Sequence, residues 1–234
     1  METDDEKIKR AVRQTQIIRL PRQSLATFGT TNLAYFLLTE PAYREAAGEP
    51  AETVVREGRV IAERPRIVTP YYLSRLEGFS TSARRYLNML LETQGANTPG
   101  IFYAYKNELR QTNIVAGDLP AVVRKINEEI DRKADPLASI IKGEDELWDV
   151  SLLKFIYEMT KSSLGHNVRQ MQSRGLLDVD SGGVPQDARL RIEELFREVM
   201  RGEREPKELK EELDRWDIFE EYQDRFFTIF KRRR

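Results

Sequence analysis

The pattern of apolar residues changes once along the chain, near Gly117, and this change limits the fold more than any other feature. Before it, short segments rich in β-branched and aromatic residues alternate with turn residues, as in residues 16–20 and 32–39. After it, apolar residues recur at helical spacing with few breaks. The sequence therefore predicts an α+β protein, in which an antiparallel sheet from residues 14–116 packs with a helical C-terminal half that ends in a long amphipathic helix.

The first half also carries weaker local signals. In residues 53–63, Gly58 lies between two β-prone arms, which predicts a hairpin with its turn at that glycine. Residues 80–95 are predicted as a helix that ends at a glycine. Residues 101–105 and 112–116 are predicted to pair with each other as antiparallel strands.

Helix signals dominate the second half. Asp118 is a good N-cap for a helix with a regular apolar face. Asp135 followed by proline predicts a second helix over residues 136–142. A helix with a wide apolar face is predicted over residues 147–159, and another over residues 163–174, with a short polar turn between them.

Composition divides the chain into four parts. Residues 1–13 are predicted to form a basic arm or a short helix, and residues 14–178 an α+β core domain. Residues 179–187 contain two adjacent glycines and a proline, which is typical of a linker. Residues 188–234 are predicted to be a separate helical segment.

Aromatic residues recur at helical spacing in this last segment. If residues 207–230 form one helix, it is about 36 Å long at 1.5 Å per residue. Such rings each bury about 150–250 Å² when packed, so they must be covered either by this protein's own core or by a partner. The second alternative predicts self-association or docking on another protein through one set of residues: Trp216, Phe219, Tyr222, Phe226 and Phe230.

The residue inventory excludes several chemistries. Cysteine is absent and His166 is the only histidine, so disulfides, thiolate nucleophiles, iron–sulfur clusters and sites with two histidines are excluded. The two common phosphate-binding glycine motifs, GxxxxGK(S/T) and GxGxxG, do not occur in the sequence, and we expect no cofactor. A third of the residues are charged, which together with the missing cysteine is also typical of heat-adapted proteins.

One acidic cluster admits an enzymatic interpretation. Asp145 and Asp149 are four residues apart and would share one face of a helix, where their oxygens could hold Mg²⁺ in a metal-assisted hydrolase. The same carboxylates would also stabilise the first turn of the helix through its dipole. We favour the second interpretation and predict neither a catalytic residue nor a metal site, so a non-enzymatic protein is favoured and the hydrolase is kept as an alternative.

Nucleic-acid binding is a further alternative. Residues 152–177 resemble the recognition helix and wing entry of winged-helix proteins, although they leave hardly any room for the middle helix of that motif. Residues 7–39 contain six Lys and Arg and no carboxylate, as phosphate contacts require. The residues that this resemblance implicates are Lys9, Arg10, Arg13, Arg169, Gln170 and Arg174.

The expected location follows from hydropathy. No apolar run approaches the roughly 20 residues that cross a bilayer, and the first ten residues lack the apolar stretch of a secretion signal. We therefore expect a soluble cytoplasmic interaction protein, whose partner is itself or another protein, with nucleic acid as the alternative and no membrane partner.

Overall fold

The computed structural model describes residues 3–41, 51–69, 71, 72, 92, 95 and 98–232. The chain forms two compact units. Unit 1 contains Met1–Arg64 and Tyr103–Asn167, and unit 2 contains Pro65–Phe102 and Val168–Arg234. Among the described residues, no helix is both long enough and apolar enough to span a membrane.

Helices and strands follow one another in an order that confirms the α+β class. In chain order they are α1 (Asp4–Gln14), β1 (Gln16–Arg19), β2 (Thr31–Thr39), β3 (Glu52–Ala62), β4 (Arg66–Val68), β5 (Gly100–Phe102), β6 (Tyr105–Ala116), α2 (Leu119–Lys133), β7 (Ala138–Lys142), α3 (Trp148–Gln172), α4 (Gln186–Arg201), α5 (Pro206–Trp216) and α6 (Phe219–Arg232). The first part of the chain thus forms α1 rather than an extended arm.

Unit 1 is built on a five-stranded sheet with the order β1-β7-β2-β3-β6. Three of its four pairings are antiparallel, as expected, but β2 and β7 run parallel. The sheet is therefore mixed, because α2 returns the chain between β6 and β7 and so gives β7 the direction of β2.

Helices cover both faces of this sheet. Neighbouring residues on β2 alternate, so that Leu37 packs in the core cluster with Phe155 of α3, while Leu38 packs in the cluster with Ile126 of α2. As expected, α2 is capped by Asp118, whose side chain accepts a hydrogen bond from the backbone N–H of Ala121 at 2.8 Å.

The predicted hairpin at Gly58 is wrong. Residues 52–62 form one continuous strand, β3, that pairs with β2 on one side and β6 on the other. Gly58 lies directly opposite Tyr35, whose ring occupies the space that a side chain at Gly58 would need. The glycine therefore permits a close approach rather than a turn. The predicted pairing of residues 101–105 with 112–116 is also wrong, because β5 pairs with β4 and β6 pairs with β3.

The predicted helix over residues 136–142 is wrong as well, since β7 lies in the sheet between β1 and β2. Its first four residues are buried, and two of them are the β-branched Ile140 and Ile141. Asp135 does not cap a helix; its carboxylate accepts the backbone N–H of Leu137 in a local turn. A short apolar run has the same pattern in a buried strand and in a buried helix, so periodicity could not separate them.

The two helices predicted between residues 147 and 174 are a single helix, α3, and the turn between them is absent. Serines at the predicted turn fit the helix because both hydroxyls bond to the carbonyl of Met159 within it. Ser163 is buried and also accepts the N–H of Leu25. The hydroxyl of Ser163 therefore forms hydrogen bonds within the core of unit 1 and does not mark a turn.

Unit 2 contains α4, α5 and α6 together with the two-stranded sheet of β4 and β5. The predicted single helix over residues 207–230 is wrong, because the helix is interrupted between α5 and α6. Asp217 adopts the left-handed conformation at φ 58°, and the N–H of Ile218 returns to the carbonyl of Leu213. This turn places Ile218 in the core of the unit.

Residues 179–187 form an ordered turn inside unit 2 rather than an extended connector. The Asp180 carboxylate accepts the N–H groups of Gly182 and Val184, and Val179 pairs with Pro185. Asp187 is buried and accepts the N–H of Ile67 at 2.9 Å. The helix predicted over residues 80–95 lies outside the described residues apart from two positions.

Candidate protein-docking surface

The aromatic residues predicted for partner binding have different environments in unit 2. Trp216 and Phe226 are only 3% and 6% exposed and belong to its main apolar core. Phe219 and Tyr222 are half-buried against that core. Phe230 is 46% exposed. The core of unit 2 therefore covers most of this set, and the exposed part is smaller than the sequence indicated.

Trp216 is fixed by polar contacts as well as by packing. Its indole N–H donates to the carboxylate of Glu212 at 3.2 Å, and the Tyr72 hydroxyl donates to the other oxygen of that carboxylate at 3.1 Å. The rings of Tyr72 and Trp216 lie 4.6 Å apart. Burial, reinforced by the negative charge of Glu212, raises the pKa of Tyr72 to about 12. This cluster therefore holds α5 in place within the core of unit 2.

Tyr222 is held inside the unit by an arginine. Arg189 donates to Asp180, Glu221 and the Tyr222 hydroxyl, and its guanidinium lies 5.8 Å from the Tyr222 ring centre. Burial disfavours the charge of Arg189, but these hydrogen bonds outweigh that effect and raise its pKa. The same contacts tie the turn before α4 to α6.

One face of α6 exposes aromatic rings. Phe227 is 48% exposed and Phe230 46%, and Phe219 lies on the same side because these positions are separated by eight and three residues. The ring centres of Phe219 and Phe227 are 6.4 Å apart, in an edge-to-face arrangement. We call Phe219, Phe227 and Phe230 the aromatic face. Phe227 belongs to the C-terminal aromatic stripe but is not among the residues predicted for partner binding, and its helical offset from the buried Phe226 was the available signal.

A second surface feature of unit 2 is an open groove between α4 and α6, with a volume of about 670 Å³. Its floor is apolar, and three arginines stand along its rim. We call it the α4–α6 groove; the floor residues are Phe196, Met200 and Ile229, and the rim residues are Arg197, Arg201 and Arg225. None of these residues is predicted from the sequence as a binding residue, although the amphipathic spacing of residues 196–201 marks one helical face.

The carboxylates considered for Mg²⁺ have separate roles. Asp145 forms an ion pair with Arg56 at 2.8 Å and accepts the Thr39 hydroxyl at 2.6 Å. Asp149 is exposed in the first turn of α3, where a carboxylate stabilises the helix dipole. Within the described part of the chain, no three His, Asp or Glu side chains are arranged to hold a metal ion.

A polar pocket of about 440 Å³ adjoins Asp145 in unit 1. It lies where the parallel strands β2 and β7 end, and Glu40, Lys142 and Glu144 contribute to its wall. Glu144 is paired with Arg10 at 2.6 Å. Charges of both signs line this pocket, and two of its acidic groups, Glu144 and Asp145, are paired with arginines.

The residues considered for nucleic-acid binding divide between the two units. Lys9, Arg10 and Arg13 lie on α1 in unit 1, where Arg10 is engaged with the Glu144 carboxylate. The others belong to unit 2: Arg169, Gln170 and Arg174. Because α3 is continuous, the last turn of that helix is not a recognition helix preceded by a turn. Nucleic-acid binding stays a prediction, but the continuous helix α3 does not have the helix–turn–helix arrangement on which the winged-helix resemblance depends.

The chain matches no known protein family, no curated protein and no solved structure at a significant level.

Proposed function

We propose that this chain is a non-enzymatic interaction protein that self-associates through the aromatic face of α6. The observation that carries the proposal is the exposure of Phe227 and Phe230 on one side of a helix whose other side is buried in a well-packed core. Large rings in such a position are typical of protein interfaces, where aromatic residues are enriched.

The exposed aromatic area indicates how strongly two chains would associate. About half of each ring is exposed, or on the order of 100 Å² per phenylalanine from the usual packed area. A two-fold pairing would cover four rings and gain about 10 kcal/mol at 25 cal/mol per Å². Association costs about 4–15 kcal/mol in lost freedom, so we expect a reversible dimer rather than an obligate one.

Charge favours an antiparallel arrangement of two α6 helices. Glu220 and Glu221 lie in the first turn of α6, whereas the last two residues of this helix are the basic Lys231 and Arg232. An antiparallel pair brings the acidic start of one helix near the basic end of the other, and their helix dipoles also oppose favourably. A parallel pair would place like charges together.

Sedimentation velocity of the full chain over a range of concentrations tests the proposal. We expect a concentration-dependent dimer that dissociates in Phe227→Glu and persists in Ile114→Glu, which places the same charge at an exposed apolar residue of unit 1. A chain that stays monomeric at every concentration, or a dimer that Phe227→Glu leaves intact, contradicts the proposal.

The absence of cysteine allows the orientation to be tested by cross-linking. Chains with Gln223→Cys and chains with Lys231→Cys are mixed and oxidised. If two α6 helices pair antiparallel about Phe227, residue 223 of one faces residue 231 of the other, and the mixed disulfide exceeds either disulfide between identical chains. An excess of disulfides between identical chains indicates parallel pairing.

A further inference from the structure

The α4–α6 groove is separate from the aromatic face. Arg225 and Ile229 each lie two residues from Phe227, which is about 200° around a helix of 3.6 residues per turn. The groove and the aromatic face are therefore on different sides of α6. A dimer formed through Phe227 leaves the groove open.

The floor of the groove suits large apolar side chains. Phe196 and Ile229 are buried beneath it, while Met200 is 44% exposed. Methionine is flexible and polarisable, so it adapts to different apolar groups. The volume of about 670 Å³ lies within the range of roughly 300–1,000 Å³ that is usual for binding clefts. The polar groups stand at the rim rather than deep in the groove, which is the arrangement of a protein interface.

The rim is predominantly basic. Arg197 and Arg201 are exposed on α4, and Arg225 faces them from α6, whereas Asp224 is the one carboxylate among the lining residues that the structure describes. Arg225 is held by two hydrogen bonds to Glu193, at 2.6 and 2.8 Å, and lies 4.1 Å from the Phe196 ring centre. Arg201 lies 4.0 Å from the Glu203 carboxylate, and both side chains are mostly exposed. Arg197 and Arg201 are therefore the rim charges that a partner can reach.

This charge selects the occupant. A second copy of the chain seated groove to groove would bring arginines against arginines, which disfavours self-association at this surface. A basic rim around an apolar floor is complementary to a helix with apolar anchors on one face and carboxylates beside them.

We propose that the α4–α6 groove binds an amphipathic helical segment of a partner protein, with large apolar residues on one face and Asp or Glu flanking them. This interaction is independent of the dimer through the aromatic face. Apolar anchors pack against Met200, and carboxylates of the partner pair with Arg197 and Arg201.

A peptide-display selection tests the proposal directly. The bait is the full chain, and the library consists of helix-forming peptides of about 15 residues, the shortest length at which helices are stable enough in isolation. We expect enrichment of net-acidic peptides with apolar residues at i, i+3 or i+4, and i+7. An enriched peptide is then labelled, and its affinity is measured by fluorescence anisotropy.

Matched variants locate the binding site. We expect Met200→Glu and Arg197→Glu each to weaken binding by about tenfold or more, as is usual for a central anchor or a paired charge. Leu109→Glu is the control, because Leu109 is also 44% exposed but lies in unit 1. Phe227→Glu is expected to leave peptide affinity unchanged while it dissociates the dimer, so failure of one proposal is distinguished from failure of the other.

Three results overturn the inference. They are a selection without enrichment, enrichment of basic or uncharged peptides, and peptide binding that Met200→Glu and Arg197→Glu do not reduce. Binding of duplex DNA that these two variants abolish, with a steep salt dependence and no peptide binding, would assign the groove to nucleic acid instead.

Discussion

Replacing Gly58 by alanine tests why a glycine lies in the middle of β3. A Cβ atom at this position would lie 2.6 Å from Cζ of Tyr35 and 2.7 Å from the backbone carbonyl oxygen of Glu108. Both separations are shorter than real Cβ contacts allow. The Tyr35 ring is fully buried and its hydroxyl donates to Asn107 at 3.0 Å, so the ring cannot yield without losing that bond.

The expected loss can be worked from these contacts. Overpacking of a dense core costs about 1–3 kcal/mol. Loss of the Tyr35–Asn107 hydrogen bond adds about 0.5–1.5 kcal/mol. Alanine recovers about 0.5–1 kcal/mol because glycine loses more backbone freedom on folding. We therefore expect Gly58→Ala to reduce the free energy of unfolding of unit 1 by about 2 kcal/mol, within a range of about 0.5–4 kcal/mol, which is a large share of the usual 5–15 kcal/mol.

Urea unfolding monitored by tryptophan fluorescence measures this loss, since unit 1 contains Trp148 and unit 2 contains Trp216. In a Trp216→Phe background the signal reports unit 1 alone. A double-mutant cycle with Tyr35→Leu supplies the control, because removing the ring should recover about 1 kcal/mol or more of the Gly58→Ala penalty. A change below about 0.5 kcal/mol, or an equal penalty with and without the ring, refutes the steric reasoning.

Three further predictions concern single side chains. Burial and a nearby carboxylate raise the pKa of Tyr72 to about 12, so the folded state favours the neutral hydroxyl. The contribution of Tyr72 to stability is therefore complete below pH 10 and is lost as pH rises from 10 to 12. The loss of about 2–3 kcal/mol appears in urea titrations of the parent chain and not in Tyr72→Phe; parallel pH profiles would disprove it. Asp145→Asn is expected to reduce stability by about 2–4 kcal/mol, because it breaks a largely buried ion pair, whereas Asp149→Asn costs less than about 1 kcal/mol; equal effects in thermal unfolding contradict this. Phe226→Ala should cost about 3–5 kcal/mol and Phe227→Ala less than about 1 kcal/mol in urea unfolding of the monomer, and the reverse order would show that the core is assigned incorrectly.

Local signals in the sequence were reliable where the structure uses the residue for a local purpose. Asp118 caps α2 because the bond from its carboxylate to Ala121 depends only on the four residues around it. The α+β class follows for a similar reason, since the change of periodicity near Gly117 reflects which face each element buries.

Residues that contact a segment distant in sequence do not follow these local signals. Gly58 is a turn residue by type, but it lies in a strand because Tyr35, far away in sequence, needs the space. Ser163 has the polarity of a turn, yet it bonds Leu25 within the core of unit 1. Asp217 was expected inside a helix, and it breaks that helix so that Ile218 can enter the core of unit 2.

The candidate surface was predicted only in part. The composition of the C-terminal segment predicts that its aromatic rings are covered, because solvent-exposed aromatic surface is unfavourable. It does not predict which of the rings are buried in the core. Helix packing in unit 2 made that selection, taking Trp216 and Phe226 and leaving Phe227 and Phe230 exposed.

The sequence by itself therefore determined the fold class, the helix cap at Asp118, the exclusion of cysteine chemistry and the presence of a C-terminal apolar surplus. Tertiary structure alone decided that residues 138–142 form a central strand parallel to β2, and that Met200 and Arg197 border one groove. The physical reason is that periodicity and capping act within a few residues of chain, whereas strand pairing and burial depend on contacts between segments that only folding brings together.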